Sequence, residues 1–259
     1  MRNIPRAAAL FGLLGMATVL LAACGGGDDN EPAGTGTPAS PAGGSPAAAA
    51  TGAAPTAEAT VEDQPEVETL LKAASLQQED LPEGYTLDEE GFTTNEESAA
   101  ETSGSGEPTL EDLNRFGRIL SYNANYSQAE LSLYVETTLY EDSDGADEAL
   151  EFVRDLVTDP EYFEFEESGI PGLEIGEPTI SDLSMPELGD KRLAFEVKVS
   201  AHATELDQDF DYVAQTVGIL RGRMIGAIVV LAFSSETPSG EDLEDLARAL
   251  DERMKDALE

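Results

Sequence analysis

The chain has 259 residues, of which 53 are Asp or Glu and 14 are Lys or Arg, so its formal net charge is −39 at pH 7. Such a charge repels phosphates and anionic lipid headgroups, which argues against a nucleic-acid-binding protein and against a domain lying on an anionic membrane surface. The sequence contains one cysteine, one histidine and no tryptophan. A single cysteine excludes a disulfide framework within the chain.

The first 23 residues have the pattern of a secretory signal peptide. Arg2 and Arg6 form a positively charged start, and the segment 7–23 contains no charged residue. This uncharged stretch of roughly 17 residues is shorter than the roughly 20 that a membrane-spanning helix needs. We therefore predict a cleaved signal peptide at residues 1–23 rather than a transmembrane helix.

The signal ends in Leu21-Ala22-Ala23-Cys24, which resembles the lipobox of bacterial lipoproteins. The resemblance implies that Cys24 is acylated and becomes the first residue of the mature chain. The membrane would then be a partner through this covalent lipid, and the protein would lie on the extracytoplasmic face of the cell membrane. An ordinary cleaved signal with an incidental cysteine is the alternative. With lipid on Cys24, no thiol remains for a metal site or a nucleophile.

The next stretch, residues 24–62, consists largely of Gly, Ala, Pro, Thr and Ser, as in "GTGTPASPAGGSPAAAATGAAPTAEAT". A segment of this composition cannot bury enough apolar surface to fold, so we predict a disordered tether that follows the acylated cysteine. The remaining residues, 63–259, are numerous enough for one substantial hydrophobic core. We predict that they form a single acidic domain.

The first half of this domain is predicted to contain two helices and a loop. Apolar residues recur at helical spacing in "PEVETLLKAAS" and again in "DGADEALEFVRDLV", which predicts two amphipathic helices. Between them, "DEEGFTTNEESAAETSGSGEPT" is acidic and rich in small residues, and we interpret it as a loop.

A hairpin is predicted between the loop and the second helix. Polar and apolar residues alternate in "RILSYNANYSQ" and in "AELSLYVETTLYED", which is the pattern of two strands, here joined across Ser127-Gln128. In the second strand, Leu133 and Val135 are expected to face the core, whereas Glu136 and Thr138 are expected to face solvent.

The second half is predicted to consist of strands followed by a helix. Leu193, Phe195, Val197 and Val199 alternate inward in "KRLAFEVKVSAHAT". The segment "MIGAIVVLAFSS" is apolar at nearly every position, which predicts a central strand covered on both faces. The closing segment "SGEDLEDLARALDERMKDALE" starts with a capping box and has one apolar stripe, so it predicts a helix.

Together these elements predict an α+β fold, in which an antiparallel sheet of about six strands carries two or three helices. The motifs "DLPEGY", "LGDKR", "RGRMIGAIV" and "LARALDERM", in this order, resemble the small α+β lipoproteins of actinobacteria and Chloroflexi, which are related in shape to mycobacterial kinase-sensor and PsbP/LpqN-like domains. The resemblance covers most of residues 64–259. It implies this fold and no catalytic residue.

The candidate catalytic groups are few. His202 is the only histidine, and its strand pattern places it with charged residues, so we interpret it as solvated rather than catalytic. No nucleophile elbow or Gly-rich phosphate loop is present. We therefore predict no enzymatic activity and no cofactor apart from the covalent lipid.

Calcium is the metal for which the sequence offers candidate ligands. Asp142 and Asp144 fall at ligand positions of an EF-hand loop, but Tyr140 stands where the first ligand is needed. We favour Asp144 as a helix cap instead. A second candidate site consists of Asp207, Asp209 and Asp211, which would share one side of an extended segment, and a charged strand end is the alternative.

Three functions remain open from the sequence. The first is a lipid-anchored extracytoplasmic module that binds a small apolar ligand or an envelope protein, without catalysis. The second is an envelope hydrolase with a pair of acidic residues, and the third is a structural lipoprotein without a ligand. An apolar cavity would support the first function, two acids about 5 to 10 Å apart in a cleft the second, and a filled core the third.

Overall fold

The computed structural model describes residues 64–101, 107–129, 131–158, 173–203, 208–232 and 240–259. The predicted signal peptide, Cys24 and the predicted tether lie outside the described residues. The described part has the predicted α+β architecture, with helices on an antiparallel sheet. No described helix combines the length and apolar character needed to span a membrane.

The described part contains five α-helices. They are α1 (Gln64–Ala74), α2 (Asn95–Glu101), α3 (Leu110–Arg115), α4 (Ser143–Thr158) and α5 (Gly240–Leu258). The predicted helices correspond to α1, α4 and α5, which are also the longest. Their apolar stripes pack on the sheet, and this burial supplies most of their stability.

Within the described ranges, the sheet has eight strands. They are β1 (Thr86–Thr93), β2 (Arg118–Gln128), β3 (Leu131–Tyr140), β4 (Leu173–Ile175), β5 (Thr179–Asp182), β6 (Lys191–Ala203), β7 (Gln208–Arg221) and β8 (Met224–Ala232). Their order is β1-β2-β3-β8-β7-β6-β4, with β5 paired to β6 as well. All pairings are antiparallel.

The apolar strand β8 lies at the centre of the sheet, as predicted. It pairs with β3 on one side and with β7 on the other. The tight turn from β7 to β8 passes through Gly222, whose φ of 56° is the left-handed conformation that glycine adopts without strain. Helices cover both faces of the sheet, so most side chains of β8 are buried, and Ile225 and Ala227 are partly exposed.

One face of the sheet, which we call the packed face, is covered by α1 and α5. Its buried cluster includes Leu71 of α1, Leu133 of β3, Ile228 of β8, and Leu243 and Leu250 of α5, each of which is fully buried. The opposite face, which we call the cavity face, is covered by α4. It carries two smaller buried clusters.

Three expectations from the sequence are wrong in detail. The acidic segment interpreted as a loop contains most of the edge strand β1 and the short helix α2. The hairpin turns after Gln128 rather than across Ser127-Gln128, since Gln128 pairs with Leu131. Glu136 and Thr138 do not face solvent, because α4 covers their side of the sheet and leaves them 7% and 4% exposed.

Candidate functional site

The two acids of the predicted EF-hand loop serve the start of helix α4. The Gly145 backbone N–H donates to Asp142 Oδ1 at 2.8 Å, so the capping residue is Asp142 and not, as predicted, Asp144. Asp144 lies in the first turn, where an acid stabilises the helix dipole. Gly145 is needed at this point because a Cβ there would lie 2.1 Å from the Phe116 carbonyl oxygen.

The second candidate metal site is only partly described. Asp209 Oδ1 lies 2.7 Å from His202 Nδ1, and Ser200 Oγ donates to Asp211 Oδ1 at 2.7 Å. Asp207 lies outside the described residues. The two described acids therefore bind different partners, and the side chain of the predicted solvated His202 is 34% exposed. Within the described residues, no group of three or more His, Cys, Asp or Glu side chains is placed to hold a metal ion.

A cavity of about 100 Å³ lies between α4 and the cavity face of the sheet. Helix α4 lines it on one side, and strands β3, β6, β7 and β8 form the other side. Its apolar lining is made by Pro108, Leu113, Phe116, Ala149, Leu150, Phe152, Val153, Leu156, Val157, Leu193, Phe195, Ile225 and Ala227, together with Gly218. The space is thus enclosed mainly by hydrocarbon.

The cavity exists because small residues occupy the centre of the sheet beneath α4. Glu136, Ala227, Gly218 and Leu193 form one row across four neighbouring strands. Alanine and glycine contribute almost no side chain in the middle of this row. A Cβ added at Gly218 would lie 3.6 Å from Leu150 Cδ1, an ordinary van der Waals contact. The close packing that typifies protein interiors is therefore incomplete here.

Glu136 is the carboxylate among the described lining residues. Its side chain accepts hydrogen bonds on both oxygens, from the Thr138 hydroxyl at 2.9 Å and from the Tyr134 hydroxyl at 3.1 Å. The Tyr134 hydroxyl has a single proton, which it shares between Glu136 Oε2 and Asn123 Oδ1, the latter 2.9 Å away. These hydroxyls hold the carboxylate in place, which compensates part of the cost of removing it from water.

A chain of hydroxyl groups connects Glu136 to a buried arginine. Arg118, which is 8% exposed, donates to Ser121 Oγ from Nε at 3.2 Å and from Nη2 at 2.7 Å. Ser121 Oγ lies 2.6 Å from Thr138 Oγ1, which donates to Glu136. Since the Thr138 proton points to Glu136, Ser121 donates to Thr138. The hydrogen bonds thus run in one direction from the guanidinium to the carboxylate, which strengthens each of them.

Two further polar side chains line the cavity. Thr216 is 5% exposed, and its hydroxyl has no hydrogen-bond partner among the described residues. Tyr140 is also buried. Burial raises the pKa of its phenol above the ordinary value, while the charges of Arg118 and Glu136 act on it in opposite directions. The phenol therefore keeps its proton at neutral pH.

This arrangement is suited to binding more than to two-acid catalysis. A glycosidase-type mechanism needs two carboxyl groups facing one space. The described lining of the cavity supplies one, Glu136, and no lysine, arginine or histidine. An apolar enclosure with a few fixed polar groups is the usual form of a small-molecule binding site.

Sequence reasoning missed Glu136 and Thr216. Alternation in β3 assigned Glu136 to the solvent side, although the continuous apolar run in β8 already indicated a sheet covered on both faces. Applying that inference to the neighbouring strand β3 would have identified Glu136 as a buried acid.

Comparison with known proteins finds distantly similar solved structures and no family. No family model matches the chain, and no curated protein matches it. Among solved structures, the extracellular domain of PknH from Mycobacterium tuberculosis is similar, with 9% identity, a TM-score of 0.39, and coverage of 71% of this chain and 96% of that domain.

Two further mycobacterial structures show a similar relationship. A putative uncharacterized protein from Mycobacterium smegmatis has 7% identity and a TM-score of 0.38, with 72% of this chain and 96% of that chain covered. LpqN, which is involved in cell envelope biogenesis of Mycobacterium tuberculosis, has 14% identity and a TM-score of 0.22, with 66% and 78% covered. At such values the function of this chain has to be argued from its own residues.

Proposed function

We propose that this chain is a lipid-anchored binding module on the extracytoplasmic face of the cell membrane, and that it takes a small apolar ligand into the cavity beneath α4. The observation that carries the proposal is the cavity itself, about 100 Å³ of space enclosed mainly by apolar side chains. A filled core would have supported a structural role, and a pair of acids would have supported hydrolysis.

The surroundings of the cavity support a retained space rather than a packing accident. Helix α4 is fixed to the sheet edge by Lys191, which lies 2.5 Å from Asp147 Oδ1 and 3.3 Å from Glu151 Oε1. Asp142 caps the start of the helix, and the Phe116 carbonyl lies close to Gly145 in its first turn. These contacts favour the observed position of α4, in which the space beneath the helix stays open.

Xenon is a suitable probe for the cavity, because dry apolar cavities of similar size bind it. We expect the ¹²⁹Xe resonance to shift saturably when the full chain is titrated. The variant Ala227→Leu adds three carbon atoms inside the cavity and is expected to abolish the saturable shift. Ala257→Leu adds the same atoms on α5, at the opposite face, and is expected to leave it unchanged. Equal xenon binding by wild type and Ala227→Leu would overturn the proposal.

The anchor is tested separately through Cys24. We expect the wild-type chain to incorporate labelled palmitate and to sediment with membranes. The variant Cys24→Ala is expected to lose the label and to leave the membrane fraction. Without acyl chains, and with the signal segment cleaved off, the chain has no apolar anchor left. Unchanged membrane association of Cys24→Ala would contradict lipid anchoring and leave the binding proposal intact.

A further inference from the structure

The polar groups of the cavity indicate which class of small molecule it selects. We infer that the ligand is a small primary amine, whose ammonium group pairs with Glu136 and whose short hydrocarbon body fills the space beneath α4. This inference rests on the proposed binding function and adds the chemistry of the ligand to it.

Charge complementarity is the first argument. Two other buried carboxylates contact a cation directly: Asp251 Oδ1 lies 2.7 Å from Arg221 Nε, and Glu196 Oε1 lies 2.6 Å from Lys198 Nζ. Glu136 is buried to the same degree but is bonded to hydroxyl groups only. Arg118 is separated from it by the hydroxyls of Ser121 and Thr138. Unlike Asp251 and Glu196, Glu136 is therefore a buried acid without a cation in contact.

The free energy of pairing favours an ammonium group at this position. Folding has already removed Glu136 from water and fixed it with hydroxyl donors. A cationic ligand pays only for its own desolvation and gains an ion pair beside a largely apolar lining, where charge is screened less than in bulk water. A carboxylate or phosphate ligand would meet Glu136 with like charge and would find no Lys, Arg or His among the described lining residues.

The hydrogen-bonding capacity of the lining points the same way. A carboxylate has about four lone-pair sites, and Glu136 uses two of them for Tyr134 and Thr138. The Thr216 hydroxyl is unpartnered in the same cavity. Buried polar groups normally find partners, so a lining with spare acceptors fits a ligand that supplies donors. An ammonium group supplies three.

The volume sets the size of the ligand. An apolar cavity of about 150 Å³ accommodates benzene, which has six heavy atoms. A cavity of about 100 Å³ therefore suits roughly four to six heavy atoms. Butylammonium, with five, has a suitable size.

Three probes of nearly equal size test the inference on the full chain: butylammonium, butan-1-ol and butyrate. By calorimetry and ligand-observed NMR, we expect butylammonium to bind at least about tenfold more tightly than butan-1-ol, and butyrate to show no saturable binding. Alcohol binding as tight as amine binding, or saturable butyrate binding, would overturn the amine inference while leaving the proposed function standing. If none of the three probes binds and xenon does not bind either, the proposed function itself is overturned.

A pair of variants tests whether Glu136 causes the preference for butylammonium over butan-1-ol. The variant Glu136→Gln keeps the shape and removes the charge, so the preference for butylammonium over butan-1-ol should fall to about onefold. Glu196→Gln removes another buried carboxylate, on the packed face, and should keep the full preference. Because the comparison of the three probes on the wild-type chain needs no variant, it stands even if Glu136→Gln fails to fold. An unchanged preference in folded Glu136→Gln would contradict the inference.

Discussion

The two faces of the single sheet are built in opposite ways. The packed face has two long helices and one continuous buried cluster, and its charged groups are paired, as in Arg221 with Asp251. The cavity face has one long helix, two smaller clusters, an enclosed space and the unpartnered Thr216 hydroxyl. Tight packing and paired charges stabilise a fold, whereas incomplete packing beside fixed polar groups is what a binding site needs.

Removing buried side-chain volume should give the largest difference between the two faces in the free energy of unfolding. Leu250 of α5 is fully buried in the packed face, so Leu250→Ala is expected to lower the free energy of unfolding by about 2–5 kcal/mol, because it creates a new cavity in a filled core. Leu156→Ala on α4 removes the same atoms from a half-buried side chain beside existing space, and its cost should be less than half as large. Urea denaturation measures both, and equal costs would contradict the comparison.

Breaking the charged pair of the packed face should have the next largest effect. Arg221 donates to both Asp251 oxygens at 2.7 Å, and the Gly189 N–H donates to Oδ2 at 3.1 Å. We expect Asp251→Asn to cost about 1–3 kcal/mol, less than a fully buried pair, because both side chains retain some exposure. The exposed Asp245→Asn on the same helix is the control and should cost almost nothing.

The same pair predicts how stability depends on pH. Burial opposes ionisation of Asp251, but hydrogen bonds from Arg221 and Gly189 and the Arg221 charge outweigh it, so the pKa of this carboxyl lies below its ordinary value of 3.8. The stabilisation is therefore present above pH 3.8 and is lost as the pH falls through the lowered pKa. Wild type and Asp251→Asn should accordingly converge in stability in acid. A gap that stayed constant below pH 3.8 would disprove this assignment.

Two Gly→Ala substitutions should give a smaller difference in stability between the faces, but one with opposite signs. On the packed face, a Cβ at Gly226 would lie 2.5 Å from Met254 Sδ and 3.0 Å from Leu250 Cδ2, so Gly226→Ala should cost about 1–2 kcal/mol through overpacking. On the cavity face, Gly218→Ala meets only ordinary contacts. It should leave stability unchanged or raise it by up to about 1 kcal/mol, because alanine restricts the unfolded chain. Thermal unfolding of both variants checks the difference in sign.

Two buried threonines should show the smallest effect, again with opposite signs. Thr137 on the packed face donates to the Leu71 carbonyl at 3.0 Å, so Thr137→Val should cost about 1 kcal/mol by removing this hydrogen bond, although the carbonyl still accepts from the Ser75 N–H. Thr216 on the cavity face has an unpartnered hydroxyl. Thr216→Val removes the cost of burying it and should raise stability by up to about 1 kcal/mol. Denaturation midpoints that moved in the same direction would argue against the unpaired state of Thr216.

Much of the fold could be predicted because its patterns are local. The stripes of α1, α4 and α5 and the alternation in β2, β3 and β6 follow from helical and strand geometry. The edge strand β1 escaped prediction because six of its eight residues are exposed and several are acidic. Its strand conformation depends on pairing with β2, and no local pattern records that pairing.

The candidate site was much less predictable than the fold. The sequence offered candidate metal ligands at Asp142, Asp144, Asp207, Asp209 and Asp211, where acids cluster along the chain. The structure points instead to Glu136, which has no acidic neighbour in its strand. Its burial depends on α4, which covers the cavity face, and its bonding depends on residues of β2 and β3 together.

The sequence by itself determined the charge, the α+β class, the central position of β8 and the three long helices, because composition and periodicity are properties of the chain alone. Only the tertiary structure decided that Glu136 is buried without a cation in contact, and that Ala227 and Gly218 leave space beside it. Burial and empty volume arise where a helix lies against strands that are distant in sequence. They are fixed by the assembled layers, and no single segment carries them.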